Sequence, residues 1–559
     1  MHSPLYGSEL RRLAPGAPPP EGGVLYESAG SVLVIGTAID CAAAIDALYP
    51  RLRALLVLSP EAAPEDPIPT GADWLCGRPA SIDGYLGAFR VSAETKIGSR
   101  RLSPPGGGPD TGFDLVLDLG DQPVIDRRVQ PFGYFAPGGD PEALRRALTT
   151  LPALTGRFHK PRYFDYRQDT CAHGRRGQTG CERCIEACPA RAIESGGAAI
   201  RIEPHLCQGC GTCSLVCPTG AVRYHRPPAD ELIERLWRRV TAENPAGPSA
   251  MWLCEPGSEA AARDAVEAGG VTNVVLEVLP ALAALGMDAW LDLLAAGVPS
   301  LTLYTASPEH DPHLSREVDV VRRLLASMGQ DPDRLVLRDV NRPAKLEGRA
   351  STGDREGDDA APPGGAGDKR DRVLRAIARL ESGASAENET VTVLPEGAPF
   401  GEVRVDRERC TLCLACVRVC PRGALRETQT GDGAPAAALA FVEEDCVQCG
   451  LCRAACPESA VTLRPRFVFD PAQRSRPRVI GESAMAACLD CGAPVASEAM
   501  TRQMEQRLRD HPLFAGDGLR RLRMCESCKA RAVAGEQVTR FFGDGTGVRP
   551  PPVAGDGGD

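Results

Sequence analysis

Two twelve-residue stretches, CTLCLACVRVCP at 410–421 and CVQCGLCRAACP at 446–457, repeat the spacing Cys-x2-Cys-x2-Cys-x3-Cys-Pro. Three thiolates on so tight a loop can cap three corners of an iron-sulfur cubane. The fourth corner faces away and needs a remote ligand, and the proline turns the chain out of the site. In paired runs of this kind the fourth cysteine of each run serves the other. The spacing therefore predicts two [4Fe-4S] clusters, one held by Cys410, Cys413, Cys416 and Cys456 and one by Cys446, Cys449, Cys452 and Cys420. Separate zinc sites fit less well, because zinc takes pairs of Cys-x2-Cys rather than runs of four with a trailing proline.

CQGCGTCSLVCP at 207–218 is a third complete run, whereas its partner, CAHGRRGQTGCERCIEACPARAI at 171–193, has its first interval stretched. Crossing the ligands assigns Cys207, Cys210, Cys213 and Cys188 to one cluster and leaves Cys181, Cys184 and Cys217 one thiolate short. Cys171 is the nearest unassigned thiol. The interval to Cys181 holds Gly174, Gly177 and Gly180, so it can loop back and let Cys171 supply the missing ligand. A three-iron cluster, or a non-cysteine ligand such as His173, remains the alternative.

CLDCG at 488–492 and MCESC at 524–528 add two more pairs. Two such turns close a tetrahedral site of Cys488, Cys491, Cys525 and Cys528, the pattern of structural zinc. A fifth cluster or a redox dithiol are lesser readings. EAMTRQMEQRLRDHPLF between the pairs reads as a helix held by that clip. Of the 23 cysteines only Cys41, Cys76 and Cys254 stand apart, in apolar contexts that read as core. KPRYFDYR at 160–167 carries Lys160, Arg162 and Arg167, either to dock an acidic partner or as a solvated arm over its own domain.

The elements that must position these loops follow from the rest of the chain. Its 559 residues allow about three or four domains. SVLVIG, ALLVLS and FDLVLDLG alternate with the amphipathic CAAAIDALYPRLR and DPEALRRALTTL, which predicts an α/β layer domain over 1–156. AMWLC, VTNVVLEV, SLTLYT and RLVLRDV, with SEAAARDAVEAG, DAWLDLLAAG and LSREVDVVRRLLASMG between them, predict a second α/β domain with a parallel sheet over 229–342. Neither holds a glycine-rich phosphate cradle. The cluster modules then span 157–228 and 396–470, with a linker carrying a helix at 343–395, a zinc-type domain at 471–542 and a disordered tail at 543–559. A net charge of −10 argues against nucleic acid. The chain has no apolar run long enough to span a membrane and no signal-peptide core, so the cytoplasm is expected. No Ser-His-Asp order or carboxylate pair suggests catalysis.

The cysteine runs are shared with bacterial ferredoxins. The stretched first interval, PFGYFAPGGDPEALRRAL, KPRYFDYR, CTLCLACVRVCPRGAL, CLDCGAP and MCESCKAR together resemble a family of bacterial cytoplasmic iron-sulfur proteins encoded beside molybdenum- or tungsten-dependent formate dehydrogenases. That resemblance implies electron transfer near formate oxidation and supplies no catalytic residue. The expectation is a carrier or electron-transfer subunit combining α/β and ferredoxin-like folds, with four [4Fe-4S] clusters, one zinc ion and a redox-protein partner, formate dehydrogenase being the candidate. The competing expectations are a flavin- or nucleotide-using oxidoreductase with the clusters as an internal wire, and a maturation or redox-sensing factor for formate dehydrogenase. Arg175, Arg176, Arg183 and His173 beside the first run, against Glu443, Glu444 and Asp445 before Cys446, further predict a higher potential in the first module.

Overall fold

The computed structural model describes residues 10–542 apart from 15, 50, 53–54, 62–71, 243–248, 269–272, 306–311, 341–361, 366, 382–389 and 430–435. The tail read at 543–559 lies outside the described residues, as do 343–361 and 382–389 of the linker. The chain forms two units, Met1–Pro399 and Phe400–Asp559.

The first unit begins with a seven-stranded sheet. In spatial order its strands are Gly98–Leu102, Arg90–Thr95, Ala72–Asp83, Leu55–Ser59, Val32–Ile35, Leu115–Asp118 and Tyr134–Phe135. The last five are mutually parallel. Val32–Ile35, Leu55–Ser59 and Leu115–Asp118 are buried at every residue, which is why they read as unbroken apolar runs rather than alternating ones. Thr37 caps the helix Ala38–Leu48 by accepting from the Asp40 N–H, so the helix starts earlier than its apolar run. The strands Ala72–Asp83, Arg90–Thr95 and Gly98–Leu102 escape a sequence reading. Gly77 and Pro79 interrupt the first of them, and the register shifts between Pro79 and Ser81.

A small antiparallel sheet, Arg11–Arg12, Gly156–Pro161 and Gly23–Ser28, leads into the first cysteine module. There Phe164–Tyr166 pairs with Val222–Tyr224, and Ile193–Ser195 with Ile200–Ile202. Each cysteine run contains a one-turn helix, Arg183–Ala187 or Thr212–Val216, that ends just before its last cysteine. Beyond the helix Ala229–Ala242 lies a four-stranded parallel sheet in the order Val274–Val278, Ala250–Cys254, Leu301–Thr305, Leu335–Asp339. The helix Lys369–Glu381 packs on Met287–Ala295 and buries Val373, Ala376, Ile377 and Leu380. It is therefore part of this unit's core, and not a passive spacer.

In the second unit Gly401–Val405 pairs with Val461–Val468 beside the short helices Ala415–Val419 and Leu451–Ala454. An antiparallel sheet in the order Leu425–Gln429, Ala436–Phe441, Arg478–Ala487, Pro494–Ser497 runs from the cysteine module into the last four-cysteine segment. Ser497 caps the helix Glu498–Leu508. No helix among the described residues is long and apolar enough to cross a membrane.

Candidate metal centres

In three of the four runs the chain turns in the same way. Leu412 and Leu414 have φ of 53° and 57°, Gln448 and Gly450 have 52° and 84°, and Gly209 and Gly211 have 78° and 80°. Two left-handed residues on alternate positions fold the backbone around a point in front of the loop. Such concavities gather N–H groups toward an anion. Leucine and glutamine accept this conformation at a cost of about 1–2 kcal/mol each. The next residue opens the short helix that carries the third cysteine.

Each of these turns faces a hollow, and the lining of each hollow is crossed. One is lined by Cys207, Cys210 and Cys213 with Cys188. One is lined by Cys410, Cys413 and Cys416 with Cys456, among Val405, Leu439 and Val461. The third takes Cys446, Cys449 and Cys452 with Cys420. Main-chain N–H groups point at the fourth cysteines: Ala192 to Cys188 Sγ at 3.2 Å, Ala460 to Cys456 Sγ at 3.3 Å and Val222 to Cys217 Sγ at 3.5 Å.

The stretched run is built differently. A hairpin, Gly174–Arg175 with Gln178–Thr179, occupies the extra length, and Glu182 before the helix has φ −116° in place of a left-handed turn. The hairpin still returns the chain. Burial raises Cys181 to about 11 and Cys184 further, and the charges of Cys217 and Cys171 act on both in the same direction. Burial, and after it Cys171, pushes the Tyr166 hydroxyl up, and that hydroxyl accepts from the Ile200 N–H at 3.3 Å. Both ring nitrogens of His173 have partners: Nδ1 meets the Cys181 carbonyl at 2.9 Å and Nε2 meets Ser195 Oγ at 2.7 Å.

Cys488, Cys491, Cys525 and Cys528 bring four Sγ atoms within 4.8 Å of one another, with Cys491 and Cys525 3.6 Å apart. A single ion with metal–sulfur bonds of about 2.3 Å sets tetrahedral edges of about 3.8 Å, so this set is sized for one ion. Among the described residues no other His, Cys, Asp or Glu group gathers so tightly. Hydrogen bonds from the main-chain N–H groups of Cys525 and Cys491 pull Cys488 down to about 6. Arg523 fastens the site by bonding both Glu498 and Glu505.

Several polar residues stand differently from their sequence reading. Lys160 belongs to no solvated arm: it is fully buried, with its Nζ on the carbonyls of His205 and Cys207. Only its place two residues from Phe158 on an alternating strand hinted at this. Glu443, Glu444 and Asp445 are not bare charges. Arg466 grips Glu443 at 2.7 and 2.8 Å, Arg474 stands 3.7 Å from Glu444 and Arg426 2.8 Å from Asp445. With each carboxylate matched, the charge argument for ordering the two modules loses its basis. Of the isolated cysteines, Cys41 and Cys254 are buried, whereas Cys76 is half-buried and reaches the Pro60 carbonyl at 3.5 Å. An open groove of about 610 Å³ lies against the Cys207 hollow. It shares Tyr163, Gln208, Gly209 and Tyr224 with that hollow and is edged by Arg11 and Arg226.

The family profile described as 4Fe-4S dicluster domain matches residues 155–221, and that described as 4Fe-4S binding domain matches 403–426 and 439–462. Among curated proteins the chain is similar to a protein named Ferredoxin 7Fe from Hydrogenibacillus schlegelii, 33% identical over 61 residues, which are 11% of this chain and 72% of that protein. It is similar to a ferredoxin of Rickettsia felis, 31% identical over 75 residues, 12% of this chain and 69% of the relative. It also resembles hydrogenase-4 component A of Escherichia coli, 43% identical over 44 residues, 8% of this chain and 22% of the relative. With three matched segments that carry the cysteine runs, and ferredoxins covered over two thirds of their length, the chain belongs to the ferredoxin-type 4Fe-4S iron-sulfur proteins.

Proposed function

We propose that the chain is a polyferredoxin that holds four [4Fe-4S] clusters and one structural zinc ion and passes single electrons between a low-potential donor and an acceptor enzyme linked to formate oxidation. The observation that carries this reading is the crossed lining of the hollows, three cysteines of one run with the fourth of its partner. When bound, each cluster supplies a one-electron couple at low potential. The chain's own residues do the rest. Cysteine thiolates hold the irons, and the N–H groups of Ala192, Val222 and Ala460 donate to ligand sulfur and so favour the more negative, reduced state. Val405, Leu439, Val461 and their counterparts keep water from the hollows. The groove edged by Arg11 and Arg226 leaves only the Gln208–Gly209 backbone and two tyrosine rings before the Cys207 hollow, a suitable place for a redox protein to dock.

A second reading, an electron-transfer subunit that stays inside a larger oxidoreductase, is favoured by the likeness to a hydrogenase component. Deleting the protein from a cell that makes formate dehydrogenase separates the roles. A carrier's loss leaves the dehydrogenase active with artificial dyes and stops its physiological electron flow. Loss of dye activity as well would point to a maturation factor and overturn the carrier reading.

A further inference from the structure

Lys160 stands on the core side of the strand Gly156–Pro161 and is 0 % exposed. Its Nζ donates to the His205 carbonyl at 2.9 Å and to the Cys207 carbonyl, and it lies 5.4 and 5.3 Å from the ring centroids of Tyr26 and Phe132. Among the described residues no carboxylate forms an ion pair with it. Glu203, the acid whose charge reaches it, is turned instead to the His205 ring at 2.6 Å and the His205 N–H at 3.0 Å. A buried cation that keeps only carbonyls and ring faces for company is poorly compensated.

Lys369 shows the compensated arrangement. It too donates to carbonyls of a cysteine loop, Ser214 at 3.1 Å and Leu215 at 2.5 Å, but Glu317 lies 4.0 Å away. Arg162, the other cation acting on Cys207, is exposed and so screened by solvent. Lys160 therefore brings a buried positive charge, with no ion-pair partner among the described residues, against the backbone of a proposed ligand cysteine. The charge missing from its surroundings is a negative one.

We propose that Lys160 is the built-in counter-charge of the cluster held by Cys188, Cys207, Cys210 and Cys213, and that it makes this cluster the higher-potential member of its module. The inference rests on the proposed ligand set. A cubane bound by four thiolates is anionic, and taking up one electron adds one negative charge. A cation fixed behind Cys207 lowers the energy of that reduced form more than of the oxidised one. Electrons entering the module then collect beside the groove that shares Gly209 with this hollow. Lys160 touches no substrate and acts through the ligand loop, so it is a positioning residue for charge.

The test is an EPR-monitored redox titration of the full chain, purified anaerobically, as wild type, Lys160→Gln and Lys160→Met. The signal lost in Cys210→Ser identifies the cluster in question, and the signal lost in Cys184→Ser identifies its neighbour. Glutamine keeps a hydrogen-bond donor and loses the charge, whereas methionine loses both. Both variants should retain their iron and reduce this cluster's reduced-to-oxidised ratio at fixed potential at least tenfold, 59 mV for one electron, with the other clusters unmoved. An unchanged ratio in iron-replete variants overturns the proposal, as does a shift in methionine that glutamine rescues, which would mean a hydrogen bond rather than a charge. If neither variant keeps its iron, the wild type decides: the Cys210-dependent signal must have the higher potential of the two, and a lower one overturns the inference. Wild-type protein lacking a Cys210-dependent cluster would instead refute the proposed ligand set.

Discussion

A hairpin takes up the added length between Cys171 and Cys181, and the charge of Cys171 acts on both Cys181 and Cys184. Replacing Cys171 by Ser should cost one cluster of the four, or leave a three-iron form, with the second unit untouched; iron content and EPR spectra of the purified variant check this. Unaltered spectra would remove Cys171 from the ligand set. The cysteines were legible because thiol spacing is a local signal that survives any fold. Lys160 was not, since a lysine among arginines reads as solvated and the carbonyls that hold it belong to residues 205 and 207. The same blindness made Glu443, Glu444 and Asp445 look uncompensated: their arginines lie at 466, 474 and 426.

At the scale of elements, the left-handed turn is common to three loops but what it faces is not. A β-carbon on Gly209 would stand 2.7 Å from the Tyr163 ring, and one on Gly211 2.6 Å from the Ala283 backbone, whereas Gly450 has nothing within 4 Å. Gly211→Ala should cost about 1–3 kcal/mol through overpacking on top of the backbone strain and release iron from the first unit. Gly450→Ala should cost about 1 kcal/mol from its φ alone and keep its iron; thermal unfolding and iron retention of the two variants measure the difference. Glycines in Cys-x2-Cys loops look equivalent in a sequence, and only packing tells them apart. Among strands the buried parallel ones were legible as apolar runs, because both faces are covered. Ala72–Asp83 was not, because an edge-ward hairpin strand carrying Gly77 and Pro79 has no pattern to read.

For the whole molecule, the proposed ligand sets predict about sixteen irons and one zinc per chain after anaerobic purification, measured by elemental analysis; near eight irons would reject the two-module reading. Iron instead of zinc at Cys488, Cys491, Cys525 and Cys528 would change the metal there and not the count of clusters. The last four-cysteine segment reads as a separate domain in the sequence, yet the strand Arg478–Ala487 pairs with Ala436–Phe441 of the cluster module. No motif announces a strand shared between the cysteine module and the four-cysteine segment.

The crossed hollows also govern how the protein fills. Cys416 and Cys456 stand at opposite ends of a long chain segment, and so do Cys420 and Cys446, so the first cluster to form in a unit closes a loop that the second then finds already closed. The entropy of that closure grows only as the logarithm of loop length and is spent once for both. Loading should accordingly be cooperative within each module. Native mass spectrometry of the full chain, reconstituted with limiting iron and sulfide, should show species with even numbers of clusters in excess of odd ones; a statistical spread would mean that each hollow fills alone.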